Sequence, residues 1–157
     1  TSSLVGSEMC IRDRDYGNLR ASLLGDDISI ADVRKAVIEI RRSKLPEPDE
    51  YGSAGSFFMN PVISTEQYEK LKSSYPDMPH YVVDDMHVKV PAGWLIDRCG
   101  WKGKSFGGAA VYEKQCLVLI NKNNAKPNDV VALAEMIRKS VSDTYGIVIN
   151  PEVNYIE

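Results

Sequence analysis

A chain of 157 residues with 43% hydrophobic and 26% charged side chains has the make-up of an ordinary globular protein, which excludes the disordered and membrane-spanning classes. A formal net charge of -3 and a pI near 5.5 argue against a general nucleic-acid binder, which normally shows a basic face.

The first stretch, Ser3 to Arg14 (SLVGSEMCIRDR), is not a signal peptide, because an acidic residue interrupts its apolar part. Its apolar run also falls far short of the ~20 residues that span a bilayer. Reverse-translated, it resembles a transposon-based sequencing adapter. Residues 1–14 are therefore read as an adapter-derived artefact, expected to be disordered, with the natural chain resuming near Asp15 in mid-gene. About 143 residues remain, enough for one domain with its own core.

From Ser29, SIADVRKAVIEIRR carries a capping box (Ser29 with Asp32) and apolar residues Val33, Val37 and Ile40 at helical spacing, ended by Lys44-Leu45-Pro46. Pro46 and Pro48, with Glu47, Asp49 and Glu50, form a polar connection. It leads to YGSAGSFFMNP (Tyr51 to Pro61), where Ser56 sits between flexible glycine-containing backbone and two aromatics. Ser64 opens a second helix with Gln67 at the capping-box position and Tyr68 and Leu71 on one face, stopped by Pro76. MPHYVVDDMHVKV reads as two short strands or a loop with a strand.

Pro91 in a helix first turn, Trp94, Leu95 and Cys99 on one side, and Gly100 beyond them predict a third helix. Gly107-Gly108 mark a bend or close backbone approach, and the apolar run Cys116 to Ile120 predicts a buried strand. A helix from about Asn128 to Tyr145 places Val130, Leu133, Ile137 and Val141 on one stripe and stops at Gly146. Ile147 to Ile149 reads as a last strand. This interleaving predicts an α+β architecture with helices on one side of a small sheet.

No GxGxxG before a helix and no P-loop is present. Cys99 and Cys116 read as two buried reduced thiols, and His80 and His87 lack metal-ligand spacing, so no metal site is expected. Ser56 lacks a GxSxG elbow and a triad histidine, which disfavours a serine hydrolase. A positioned hydroxyl can still deliver a proton to a carbanion. Glu152, after Pro151 in INPEVNYIE, shares one strand face with Asn154, while Val153 and Tyr155 take the other. Together Ser56 and Glu152 form a candidate proton-transfer pair. Lys44 and Arg41 read either as solvated cations at a helix end or as contacts for a diphosphate. From the residues alone, the reading stops at an α+β domain with an anion site.

Four ordered motifs extend it: RRSKLPEPDEYGSAGSFFMNPVIS, VKVPAGWLIDRCGWKGKSFGGAAV, QCLVLINKNNAKPNDVVALA and INPEVNYI. From about Tyr16 to the end, the sequence resembles the C-terminal half of the UDP-N-acetylenolpyruvoylglucosamine reductases, in the family's first structural type. The resemblance implies a bacterial, cytoplasmic enzyme of peptidoglycan-precursor synthesis, expected to be a monomer. NADPH reduces FAD, and reduced FAD reduces UDP-N-acetylglucosamine enolpyruvate to UDP-N-acetylmuramate.

By motif, the family's proton donor falls on Ser56, and its acid that stabilises the enolic intermediate falls on Glu152. A carboxyl in that role needs a pKa raised by burial against substrate and flavin. Substrate contacts carry over to Tyr16 and Lys44, near the diphosphate, and to Asn60, Tyr81, Lys89 and Gln115; Arg41 is a candidate cofactor contact. The family's Asn-Ala-Gly-Ser-Phe-Phe-Lys pattern is altered at Ser53 and Met59, the latter removing a positive charge beside the site.

The implied organisation is 15–45 as a remnant of the FAD-binding region, 46–146 as the substrate-binding domain, and 147–157 as a C-terminal strand returning to the FAD-binding region. The family's upstream flavin region, with an arginine that contacts the substrate carboxylate, has no counterpart in the sequence. The fragment alone is therefore expected to be inactive. Two rivals remain: a non-catalytic nucleotide-sugar binding module, and a small nucleic-acid-binding domain using Arg41, Arg42 and Lys44, which the acidic charge disfavours.

Overall fold

The computed structural model describes Leu19 and residues 28–155; the expectations for residues 1–14 and for Tyr16 lie outside these residues. The chain divides into two units, Thr1–Leu45 and Pro46–Glu157. In the first, helix α1 (Ile30–Lys44) begins as its sequence dictates. Ser29 Oγ accepts from Asp32 N at 3.2 Å, and Ser29 N donates to Asp32 Oδ2 at 3.0 Å, so two end groups of the helix are satisfied reciprocally. Ala36 is buried, while Arg41 and Lys44 stand exposed in the last turn.

The second unit is α+β, as expected, but its strands form two antiparallel sheets rather than one small sheet. The larger has the order β1 (Gly52–Ser56), β7 (Val118–Asn121), β6 (Ala109–Val111), β5 (Ser105–Phe106). The smaller has the order β2 (Val62–Ser64), β4 (His87–Lys89), β3 (Tyr81–Val82). Proline divides them. Pro61 and Pro91 bracket the small sheet, whose pairing runs out with Val90 N donating to Pro61 O at 2.9 Å, because neither proline has an N–H to extend a ladder. Between β2 and β3 lies helix α2 (Thr65–Ser74), capped by Ser64 Oγ accepting from Gln67 N at 3.1 Å. Gln67 does not complete the capping box; its Nε2 donates to Gly146 O at 3.2 Å.

Helix α3 (Ala92–Arg98) starts one residue later than the sequence implies, with Pro91 as its N-cap. Helix α4 (Pro127–Tyr145) lays Leu133, Ala134, Ile137 and Val141 against Ala109 and Val111 of β6 and Leu119 of β7 in the central core. Each fully buried Val, Leu or Ile there contributes about 1.5–3 kcal/mol. The predicted strand from Cys116 is shorter than its apolar run. Cys116 and Leu117 lie in a turn closed by Val118 N donating to Gln115 O at 3.0 Å, so the ladder starts at Val118. Ile147 and Ile149 are buried and Val148 is exposed, an extended pattern, yet among the described residues this segment forms no ladder and makes one bridge, Phe58 with Pro151. Cys116 is buried, but Cys99 is only half-buried, its Sγ 3.8 Å from Thr144 Oγ1. Among the described residues no helix is long and apolar enough to cross a membrane.

The bend expected at Gly107-Gly108 is a close backbone approach: a Cβ on Gly108 would overlap Asn123 O and Ala125 N, neither of which can move aside. Beside it, Asp129 Oδ2 accepts from Lys126 N at 2.9 Å and Gly108 N at 3.2 Å, tying the start of α4 to the β5–β6 turn. These backbone donors, Lys126 first, hold the Asp129 carboxyl below its ordinary value of 3.8. A depressed folded-state pKa gives stability that is complete above the unfolded value and is lost as pH falls through the folded one. The Tm advantage of the native chain over Asp129→Asn is therefore expected to be constant from neutral pH to about pH 5 and to shrink below the ordinary aspartate range, as read by thermal melts across pH.

Candidate functional site

The site is assembled around one short segment, Ser56 to Asn60. Along β1 the pairing with β7 slips: Ser53 faces Ile120, but Ser56 faces Val118, so one extra residue is inserted between them. This is a β-bulge, and Gly55 supplies its left-handed turn with φ of 74°. The bulge ends the strand and presents Ser56 as an exposed residue immediately before the buried Phe57. No atom crowds the missing Cβ of Gly55, so the requirement is conformational. Gly55→Ala is expected to cost about 1–2 kcal/mol in denaturant unfolding and to disturb the Ser56 register.

Phe57 and Phe58 anchor the segment. Both are almost fully buried, with ring centroids 5.1 Å apart in an edge-on arrangement. Their backbone is shared between two neighbours. Phe57 N donates to Leu117 O at 2.7 Å; Glu152 N donates to Phe57 O at 2.8 Å; Met59 N donates to Asn150 O at 2.9 Å. Glu152, far away in sequence, is thus held one residue from Ser56. Its carboxylate side is exposed, whereas Val153 packs on the core and the Tyr155 ring lies 6.4 Å from Phe57, as the predicted alternation requires. Arg138 Nε donates to Ile149 O at 2.9 Å and fixes the approach of this segment.

Beyond Phe58 the chain enters a cleft of about 380 Å³. Three sequence-derived residues from separate elements meet there: Asn60, Tyr81 of β3, and Gln115. Asn60 Oδ1 accepts from Ala92 N at 2.9 Å, satisfying an end group of α3 that Pro91 cannot cap with a side chain. Gln115 Oε1 accepts from Leu117 N at 3.4 Å. Lys89 of β4 is paired in register with both Tyr81 and Val62, so the three form one exposed row across the small sheet, with Tyr81 at the cleft.

Ser56 and Glu152 do not line the cleft, but Phe57 links them to it through Leu117, which does. Arg41 and Lys44 belong to the first unit, at the end of α1. The sequence reading missed Trp94, Asp97, Lys102 and Lys114, all of which line the cleft. Trp94 and Asp97 read as one helix turn of α3, and Lys102 and Lys114 as parts of the polar GWKGK and EKQ turns, all of which look ordinary until the fold brings them together. Cys116 also lines it, but burial first, then Asp97, pushes its thiol up to about 11, which keeps it protonated and unreactive.

At about 380 Å³ the cleft lies near the low end of the ~300–1,000 Å³ typical of small-molecule sites. It has room for part of a nucleotide sugar. It does not fit a flavin dinucleotide, and among the described residues no glycine-rich phosphate loop opens a helix, so no step is assigned to a flavin here.

The chain is similar to known proteins over most of its length. A UDP-N-acetylenolpyruvoylglucosamine reductase from Bacteroides fragilis is 52% identical over 143 residues, covering 90% of this chain and 43% of that protein. Its counterpart from Pasteurella multocida (strain Pm70) is 49% identical over 142 residues, covering 90% and 41%. A crystal structure of UDP-N-acetylenolpyruvylglucosamine reductase (MurB) from Thermus caldophilus aligns with a TM-score of 0.45 and 22% identity, covering 82% of this chain and 36% of that one. The chain thus spans less than half the length of the curated relatives it matches. Residues 47–156 match the family described as "UDP-N-acetylenolpyruvoylglucosamine reductase, C-terminal domain". The chain belongs to the UDP-N-acetylenolpyruvoylglucosamine reductase family, of which it carries the C-terminal domain.

Proposed function

We propose that this chain supplies the substrate-binding part and the proton donor of an enzyme that reduces UDP-N-acetylglucosamine enolpyruvate to UDP-N-acetylmuramate for peptidoglycan synthesis. In the whole enzyme, FAD reduced by NADPH would supply the hydride to the β-carbon of the enolpyruvyl group; no residue of the cleft is assigned to it. This chain's residues manage the α-carbon. The electron pair left there as enolate takes a proton from Ser56 Oγ, while Glu152, as an acid, stabilises the enolic oxygen. Asn60, Tyr81, Lys89 and Gln115 hold the nucleotide sugar; Lys44 and Tyr16 keep the diphosphate role, and Arg41 the cofactor role, that the family resemblance gives them. The observation that carries the reading is the bulge-ended strand, whose next residue, Phe57, is hydrogen-bonded to Glu152 on one side and to the cleft wall at Leu117 on the other.

The binding half of this reading is tested on the chain itself. Calorimetric titration with UDP-N-acetylglucosamine enolpyruvate is expected to give saturable binding, weakened by about 1–3 kcal/mol in Lys89→Ala, the range for a lost charged hydrogen bond. No heat of binding, or identical affinity in the variant, would remove the substrate assignment. The cleft also favours a second reading, a binding module without catalysis, because Ser56 lies outside its lining. Turnover by a chimera, in which residues 15–157 replace the matching segment of the Bacteroides fragilis relative, separates the two.

A further inference from the structure

One stripe of α4 packs on the core, and Arg138 stands at the edge of that stripe, within a turn of the buried Ala134 and Val141, its side chain only 29% exposed. A guanidinium withdrawn this far from water needs fixed partners. Arg138 has two, on different parts of the chain. Its Nη1 donates to Glu135 Oε1 at 2.7 Å on the same helix, and its Nε donates to Ile149 O at 2.9 Å, beyond the Gly146 cap. The same two charges act at the other end of the C-terminal segment: burial first, then the Glu135 carboxylate, raises the Tyr155 phenol, and Arg138 opposes the rise. Ile149 and Tyr155 stand on either side of Glu152 in the sequence. Between them the segment is tied to the residues that follow Ser56, with Met59 N donating to Asn150 O at 2.9 Å and Glu152 N to Phe57 O at 2.8 Å. A single ion pair on α4 thus reaches both flanks of Glu152, which is itself exposed.

We propose that Arg138, oriented by Glu135, is a positioning residue for the proton chemistry: it fixes where the 149–155 segment meets Phe57 and so holds the Glu152 carboxyl in register with Ser56. This assignment rests on the acid role given to Glu152 above and extends it to two residues that no motif singled out. Because Glu135 already matches the charge of Arg138, the contribution is one of geometry. Arginine suits it, since its planar group holds donors in fixed, different directions; lysine would keep the charge and lose that fork.

The test uses the flavin-loaded chimera carrying residues 15–157. Arg138→Leu and Arg138→Lys are each expected to slow enolpyruvyl reduction roughly 10- to 100-fold, the range for a misplacement of about 1 Å, with flavin reduction by NADPH and the substrate KM unchanged. A double-mutant cycle with Glu152→Gln separates positioning from general support of the fold: once the carboxyl is gone, losing Arg138 is expected to slow the step by at most about 2-fold more. In the full 157-residue chain, amide hydrogen exchange at Glu152 and Met59 is expected to quicken in both Arg138 variants while the melt stays cooperative. Full additivity of the two substitutions would overturn the positioning role and leave Glu152 as the acid. A native rate in Arg138→Lys would also overturn it, because charge without the fork would then suffice, as would unchanged exchange at the Glu152 amide. A native rate in Glu152→Gln would instead sink the acid role itself, and the positioning role with it.

Discussion

Ser56→Ala, placed in the flavin-loaded chimera with the Bacteroides fragilis relative, is expected to slow reduction of the enolpyruvyl group by roughly two to four orders of magnitude, the range for loss of a positioned general acid. Reduction of the flavin by NADPH is expected to continue at its normal rate, because the hydroxyl is assigned only to the α-carbon proton. Stopped-flow measurement of the two half-reactions separates these steps. Equal loss in both would assign Ser56 to the fold rather than to proton transfer. The structural basis is local: the β-bulge at Gly55 ends the strand one residue before a buried aromatic pair, leaving an exposed hydroxyl on a rigid support.

Phe58→Ala is expected to destabilise the chain by about 3–5 kcal/mol in denaturant unfolding, the range for removing a fully buried aromatic ring. Phe58 is 1% exposed, packs edge-on against Phe57 and bridges Pro151. The ring therefore supports the segment on which both Ser56 and Glu152 depend. Faster hydrogen exchange at the Met59 and Glu152 amides is expected to accompany the lost stability, since their acceptors, Asn150 O and Phe57 O, lie in the two segments that the Phe58–Pro151 bridge joins. A loss below 1 kcal/mol, with those amides still protected, would show that the cavity collapses and that the C-terminal segment is held by other contacts.

Helix positions were legible because each helix carries its own start and stop chemistry. Ser29 with Asp32 and Ser64 with Gln67 act within four residues, so local sequence is enough to locate them. The stripe Leu133, Ile137, Val141 likewise identified the buried face of α4 without reference to its partner. The final segment was less readable. Its alternation of buried Ile147 and Ile149 with exposed Val148 resembles a strand, but pairing depends on what lies alongside, and among the described residues only Phe58 meets Pro151 in a bridge. The single sheet expected from the strand order became two, because Pro61 and Pro91 stop pairing at positions where one sheet would have continued.

The sequence by itself determined the family, the helices, a special backbone position at Gly107-Gly108 and the choice of Ser56 and Glu152 as candidates, since each rests on residue types within a short window. The tertiary structure alone decided that Glu152 sits one residue from Ser56 across a shared backbone, and that Asn60, Tyr81, Gln115, Lys102 and Lys114 line one cleft. These are long-range contacts between turns of unremarkable composition. Their position follows from sheet register, hydrogen-bond accounting and core packing, which no local pattern of side chains encodes.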